Sequence, residues 1–342
     1  MHTAEASPKG VAPPQSHRVS KWLVPAIGYL VSALSLVWVF WKFPFAQLAD
    51  HLRTLGWNWV ALAVLLEFAV YFMDAWRWKV LLRRVGNPSF GLSLQAIFIG
   101  VLANDILPAK AGEIVRCFLL SYETEVPLSL AITSDVMLRI MDGLWIVILY
   151  LFITFQVATH TEINRGMWIF GSCAVGLGVL FTFILFRRQH AHHFVRSRSW
   201  GARFMRLLDE LHRLGDWRDL RDSMAVGGLY WLLQILAIWA LTRADRFDLG
   251  MSAVAFVLVV KSVATVVPNA PANLGAYQAA VVYALGFLFV ERVNAQPFAE
   301  IMFVFLTLPV AIGGALAVVS ADIDIFALHK HAHRAHHNLQ GK

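Results

Sequence analysis

Lys110, Glu113 and Arg116 follow one another at three-residue steps inside Asn104-Asp105-Ile106-Leu107-Pro108-Ala109-Lys110-Ala111-Gly112-Glu113-Ile114-Val115-Arg116, and the flanking sequence is as apolar as a membrane helix. Charge and broken backbone at membrane depth are costly unless they face protein or a wet cavity, so they often mark the path of something polar. Glu113 and Arg116 share a helical face and can pair. Lys110 falls beside Gly112, just before or within the first turn of that helix. A base at a Pro-Gly break, next to unused helix-end N–H groups, is suited to hold a phosphate. The alternative is a satisfied Glu113–Arg116 pair, with Lys110 reaching to the membrane surface.

Other charges lie in equally apolar surroundings. Asp135, Arg139 and Asp142 are spaced four and three apart, so they form one stripe in which Arg139 can be flanked by both carboxylates. Such a stripe either contacts a substrate or locks two helices together. Glu67 has no partner close in sequence. It pairs with a base on another helix or is protonated, and a buried carboxyl of that kind can relay protons. Lys261 leads into a second break, Val267-Pro268-Asn269-Ala270-Pro271-Ala272-Asn273-Leu274-Gly275, where Asn269, Asn273 and Gln278 add neutral hydrogen-bonding groups. It pairs with an acid, meets an anion, or snorkels to the surface.

The elements that must position these groups follow from composition. Of 342 residues, 58% are hydrophobic and 15% charged, and the mean hydropathy is +0.60. Soluble domains carry about 25% charged residues. Apolar runs long enough to cross a bilayer recur along the chain. Spans are expected at 22–41, 57–73, 128–156, 167–186, 224–242 and 300–319. The 22–41 run reads as a retained helix, since it lacks a small-residue cleavage site. Trp76, Arg77, Trp78 and Lys79, after Asp74, fit a membrane interface. Shorter apolar pieces at 89–103 with 111–121, and at 249–267 with 275–290, flank the two breaks.

Orientation follows from Lys and Arg in short loops. Lys9, Arg18 and Lys21 put the N-terminus in the cytoplasm, as do Arg77, Lys79, Arg83 and Arg84 for the second turn. Residues 187–223 carry nine Arg against five Asp or Glu and read as a basic cytoplasmic loop. Each broken pair then leaves and returns on one side, the first cytoplasmic and the second external. It does so as two short spans or as a re-entrant hairpin, which short arms and Pro/Gly tips favour. The expected fold is all-α and polytopic, with about six full spans and two broken hairpins in an inverted repeat. Residues 1–20 read as a disordered cytoplasmic segment, 21–320 as one transmembrane domain, and 321–342 as a His-rich cytoplasmic tail.

Several classes are excluded as expectations. Cys117 and Cys173 lie in apolar segments and make neither a disulfide framework nor a metal site. The net charge of +7 is a topology signal with affinity for anionic lipid, rather than a nucleic-acid footprint. The tail histidines lack an ordered framework for a metal. Nucleotide-loop, nucleophile-elbow and zincin motifs are absent. No cofactor and no enzymatic activity are expected.

The chain resembles the flippase-like membrane proteins related to the transmembrane region of lysylphosphatidylglycerol synthase. Arg77-Trp78 with Leu81-Leu82 is similar to the family's early element. Asn104, Leu107-Pro108, Gly112-Glu113 and Arg116 are similar to its central signature, and Arg139 with Asp142 to its Arg-x-x-Asp element. Pro268, Pro271 and Gly275 are similar to its late loop, although Ala272-Asn273 replaces a Gly-Gly pair and Gln278 replaces a Glu. The resemblance implies lipid handling without the soluble aminoacyl-transferase domain of the bifunctional relatives. A subgroup of these proteins is associated with hopanoid biosynthesis, and the motifs do not decide between that subgroup and the rest of the family.

The resulting expectation is a lipid translocase of the bacterial inner membrane, with both termini cytoplasmic, acting on an anionic or phosphate-bearing lipid. Asn104, Lys110, Glu113, Arg116, Arg139 and Asn273 would bind substrate, with Lys110 and Arg116 on the phosphate. Glu67, Asp135, Asp142 and Lys261 would serve coupling or charge balance, and Pro108, Gly112, Pro268, Pro271 and Gly275 would form the breaks. The rival expectation is a non-transporting accessory subunit that partners lipid- or hopanoid-biosynthesis enzymes.

Overall fold

The computed structural model describes residues 52–107, 110–154, 216–266 and 271–320. The expected spans at 22–41 and 167–186, the N-terminal segment, most of the basic loop, the His-rich tail, Cys173, Pro108, Pro268 and Asn269 lie outside the described residues. Within them the chain is helical, with no strand. In order come α1 (Trp57–Leu82), α2 (Phe90–Ile106), α3 (Gly112–Glu123), α4 (Leu128–Thr154), α5 (Trp217–Ala244), α6 (Met251–Ala264), a 3₁₀ turn (Pro271–Asn273), α7 (Ala276–Phe287) and α8 (Arg292–Ser320).

Four of these, α1, α4, α5 and α8, are long and apolar enough to cross a membrane. The others are 12 to 17 residues long. At about 1.5 Å per residue they extend roughly 18–26 Å, short of a hydrocarbon core of about 30 Å. The order is therefore long, short, short, long, given twice. Helices α1 and α5 run antiparallel along each other. Gly56 N donates to Ala244 O at 2.9 Å at one end, and Arg84 Nη1 meets Asp216 Oδ2 at 2.7 Å at the other. Helix α8 packs on α2 as well as on α7, and α4 packs on α6 as well as on α3, so each of these two long helices touches both pairs of short helices.

Two apolar cores fill the spaces between helices. Trp78, Leu82, Ile97, Leu120, Leu130 and Leu138 form the one among α1, α2, α3 and α4. Ile153, Ile238, Phe256, Val281 and Phe298 belong to the other, among α4 to α8 and the start of α1. Large apolar side chains such as Leu65, Phe72, Leu232, Leu308, Ile312 and Leu316 face outward, as lipid-facing positions do.

Two boundaries differ from the sequence expectation. Helix α1 continues through Asp74 and Arg77 to Leu82, and both charged residues are buried inside the bundle rather than placed at an interface. Apolar neighbours on the same turns, Trp78 and Leu81, carry that face into the core. Helix α5 starts at Trp217, so the end of the supposed basic loop is helical. Asp216 caps it by accepting from Arg218 N at 2.9 Å, and Asp219 is buried against Arg83 and Arg84.

Candidate functional site

The first hairpin is closed by two residues that the sequence had suggested as site members. Leu107 ends α2 in an extended conformation (φ −95°, ψ 143°), as a residue before proline must. The chain turns back through Lys110, whose φ is 56°, and starts α3 at Gly112. Asn104 Oδ1 accepts from Gly112 N at 2.8 Å, which satisfies an N–H left free at the new helix end. A Cβ on Gly112 would lie 1.9 Å from Gly100 O, so only glycine admits this crossing of α2 and α3. Asn104 is thus a clasp between the arms, and it does not line the cavity described below. Asp105, beside it, has a buried Oδ2 without a hydrogen-bond partner among the described residues.

Glu113 and Arg116 do not pair with each other. Arg116 Nη2 donates to Asp135 Oδ1, and Nη1 lies 3.6 Å from Asp74 Oδ2. Asp74 Oδ1 accepts from Arg77 Nε at 2.7 Å. Arg77 then grips Asp142 with both terminal nitrogens, at 2.5 and 3.1 Å. Asp142 Oδ2 is 3.7 Å from Arg139 Nη1, and Arg139 Nη2 meets Glu113 Oε1 at 3.0 Å. The result is an unbroken alternation of acid and base, Asp135–Arg116–Asp74–Arg77–Asp142–Arg139–Glu113, that stitches α1, α3 and α4. Arg139 is flanked by Glu113 and Asp142, not by Asp135 as the stripe suggested, because Asp135 turns to Arg116. Sequence reading missed Asp74 and Arg77 as its centre. The three-residue spacing of that pair was the available signal, obscured by the aromatic and basic residues around it.

Burial grades along this chain. Side chains are 3% exposed at Arg77 and 5% at Arg116, then 28% at Glu113 and 47% at Arg139. Arg77 also lies 4.2 Å over the ring of Tyr230, and Trp231 Nε1 donates to Asp142 Oδ1 at 3.3 Å. Glycines 227 and 228 on α5 leave room for Trp145, which a Cβ on Gly228 would touch at 2.7 Å.

The exposed end of the chain opens into a cavity of about 630 Å³ enclosed by α1, α3, α4, α5, α6 and the first hairpin tip. Of the suggested residues, Glu67, Lys110, Glu113, Arg139, Asp142 and Lys261 line it. Arg116 and Asp135 are buried behind it, and Asn104 and Asn273 are not in its wall. Sequence reading missed the wall contributed by Tyr71, Tyr230, Trp231 and Gln234, together with Ser262 and Thr265. Those residues look like ordinary span residues until the helices are assembled.

Lys110 joins the two hairpins. Its Nζ donates to Thr265 O at 2.5 Å, at the C-terminal end of α6, where carbonyls lack partners and favour a cation. It makes no ion pair with a carboxylate among the described residues, unlike Arg139. Lys261, one turn earlier, lies 5.6 Å over the ring of Tyr277. Glu67 has no ion pair among the described residues.

The second break has its own construction. Ala272, Asn273 and Gly275 all have positive φ (54°, 55° and 84°), and Gly275 N donates to Gln278 Oε1 at 2.8 Å. Gln278 Nε2 donates to Glu300 Oε2 at 3.4 Å, so α8 brings a buried carboxylate to a place where the sequence showed only an amide. Among the described residues no group of three or more His, Cys, Asp and Glu could hold a metal.

Comparison with known proteins agrees with a membrane protein. A relative described as a UPF0104 membrane protein, from Methanothermobacter thermautotrophicus, is 22% identical over 265 residues, covering 67% of this chain and 75% of its own length. No solved structure matches significantly. The family described as the lysylphosphatidylglycerol synthase TM region matches residues 26–314, a range that contains every residue lining the cavity. This multi-pass membrane protein therefore belongs to that family.

Proposed function

We propose that the protein is a lipid translocase in which the phosphate of a lipid headgroup enters the central cavity while the acyl chains stay in the bilayer. The observation that carries this reading is Lys110, a cavity-lining ammonium held by a backbone carbonyl and by no carboxylate among the described residues. A phosphate can replace that carbonyl at little cost, since charge-assisted hydrogen bonds are the stronger kind. The volume suits a headgroup, as ligand cavities commonly measure about 300–1,000 Å³.

Roles shift from those expected from sequence. Lys110 binds the phosphate, and Arg139, half-exposed in the wall, adds a second contact while Glu113 and Asp142 hold it. Arg116 is a structural base, since Asp135 and Asp74 enclose it. Glu67 remains the candidate for coupling to protons, and Lys261 faces the same cavity. No enzymatic step is assigned. The repeated long-short-short-long order and the contacts of α8 and α4 with both pairs of short helices favour an inverted repeat, as in other transporters with broken helices. Lys79, Arg83 and Arg84 remain surface charges after Arg77 is discounted, and they favour cytoplasmic termini in an inner membrane.

Reconstitution into vesicles with fluorescently labelled phospholipids tests this. Native protein should move label between leaflets, and Lys110→Ala should slow it at least about tenfold, as the loss of one charge-assisted contact requires. Equal rates for native protein, Lys110→Ala and empty vesicles would rule out translocation.

A second reading, a non-transporting accessory subunit, is favoured by the paired and enclosed part of the ion chain at Asp74, Arg77, Arg116 and Asp135. It predicts no lipid movement and stable co-purification with a lipid-biosynthesis enzyme.

A further inference from the structure

A second groove, of about 410 Å³, opens on the outer surface where α1 ends and α2 begins. Trp76, Lys79, Val80, Arg83, Asn87 and Phe90 line it. Trp76, Lys79 and Val80 on α1 and Arg83, which caps its C-terminal end, share one face, opposite the face that buries Asp74, Arg77 and Leu81. Phe72, one turn below Trp76, stacks on Phe90 with ring centroids 6.0 Å apart and extends the aromatic floor toward the middle of the helix.

Helix α1 has 26 residues. At about 1.5 Å per residue it is roughly 39 Å long, more than a core of about 30 Å, and Lys79, Arg83 and Arg84 at its C-terminal end favour that end for the headgroup layer. The groove thus spans the boundary, aromatic below and basic above. Arg83 is held in place by Asp219 and Asp222. Lys79 makes no ion pair among the described residues, so the groove offers one uncompensated cation at headgroup level.

We propose that this groove is a binding site for an anionic phospholipid, with the phosphate at Lys79 and an acyl chain along Trp76, Phe90 and Phe72. The ligand is a lipid rather than a soluble phosphate because the floor is aromatic and continuous with the lipid-facing surface. It is anionic rather than zwitterionic because no carboxylate among the described residues lines the groove to receive an ammonium. This site shares no residue with the central cavity, so it stands or falls separately from translocation.

Native mass spectrometry of the detergent-purified full chain, titrated with dioleoylphosphatidylglycerol or dioleoylphosphatidylcholine, tests it. The anionic lipid should bind about fivefold more tightly, the effect of one basic residue at an anionic headgroup. Lys79→Ala should remove that preference, and Lys79→Arg should keep it. Trp76→Ala should weaken both lipids, and the effects of Lys79→Ala and Trp76→Ala should be the same in a Lys110→Ala background, which removes the phosphate contact proposed for the central cavity. Glycerophosphoglycerol, which lacks chains, should bind at least about tenfold more weakly than the intact lipid. Equal binding of the two lipids, a preference that survives Lys79→Ala, or chain-free headgroup binding as tight as lipid would each overturn the proposal. Circular dichroism and a single gel-filtration peak confirm that each variant is folded, and Lys79→Arg separates charge from folding.

Discussion

Gly112 has no room for a side chain. With Gly100 O at 1.9 Å and Asn104 N at 2.7 Å from any Cβ, the neighbours are backbone and cannot rotate away. Gly112→Ala should cost more than the 1–3 kcal/mol typical of overpacking, read as about 3 kcal/mol or more, and should abolish a monodisperse gel-filtration peak. Asn104→Ala leaves the Gly112 N–H unpaired and should cost about 1–2 kcal/mol by thermal melting, with the peak retained. At the second break the direction reverses. Ala272 sits at φ 54°, a conformation that costs an L-residue about 1 kcal/mol. Ala272→Gly should therefore raise the melting temperature, and a fall would show that the strain is absent. The sequence made Asn104 and Gly112 conspicuous, yet not their job. Eight-residue spacing becomes a contact only when the chain doubles back at Leu107 and Lys110.

Between helices, the alternating ion chain has a dry end and a wet end, and mutations at the two should behave differently. Removing one partner from a buried pair strands the other charge and costs about 3–5 kcal/mol. Asp135→Asn, which takes from buried Arg116 its nearest carboxylate, should cost that much. Glu113→Gln, at the half-exposed end, should cost about 0–1 kcal/mol. The check is the fraction of monomer surviving a heating series, and similar losses for both variants would contradict the graded burial. The stripe on α4 was legible because three and four are helical neighbour spacings. Its partners were not, since helical periodicity fixes a face but not which helix opposes it. Arg77 shows the limit well: beside Trp76 and Lys79 it resembles an interface residue, although its side chain lies on the buried face with Asp74 and Trp78. Glu300 was hidden for the same reason, being 22 residues from the Gln278 it contacts.

Across the whole molecule, the Lys110–Thr265 hydrogen bond ties the two hairpins over the cavity. If lipid passes between them, this contact must open. A Lys110→Cys/Thr265→Cys pair, already slowed by the loss of Lys110, should lose its remaining movement of labelled lipid when bridged by a short bis-maleimide. Equal transport in the bridged and unbridged double variant would remove the hairpin tips from the path. The overall class was readable from composition, because a chain this apolar has few ways to fold outside a bilayer. The repeated order of long and short helices was only partly readable, since apolar runs of intermediate length do not say whether they cross.

The antiparallel contact of α1 and α5 has a mechanical meaning. It is pinned at both ends, by Gly56 with Ala244 and by Arg83 and Arg84 with the acids that open α5, and Ser223 Oγ donates to Arg77 O at 3.1 Å between them. A pair held at both ends resists both sliding and splaying, so α1 and α5 form a fixed beam. If the protein rocks as the proposed translocation requires, the short helices are the parts free to turn about that beam.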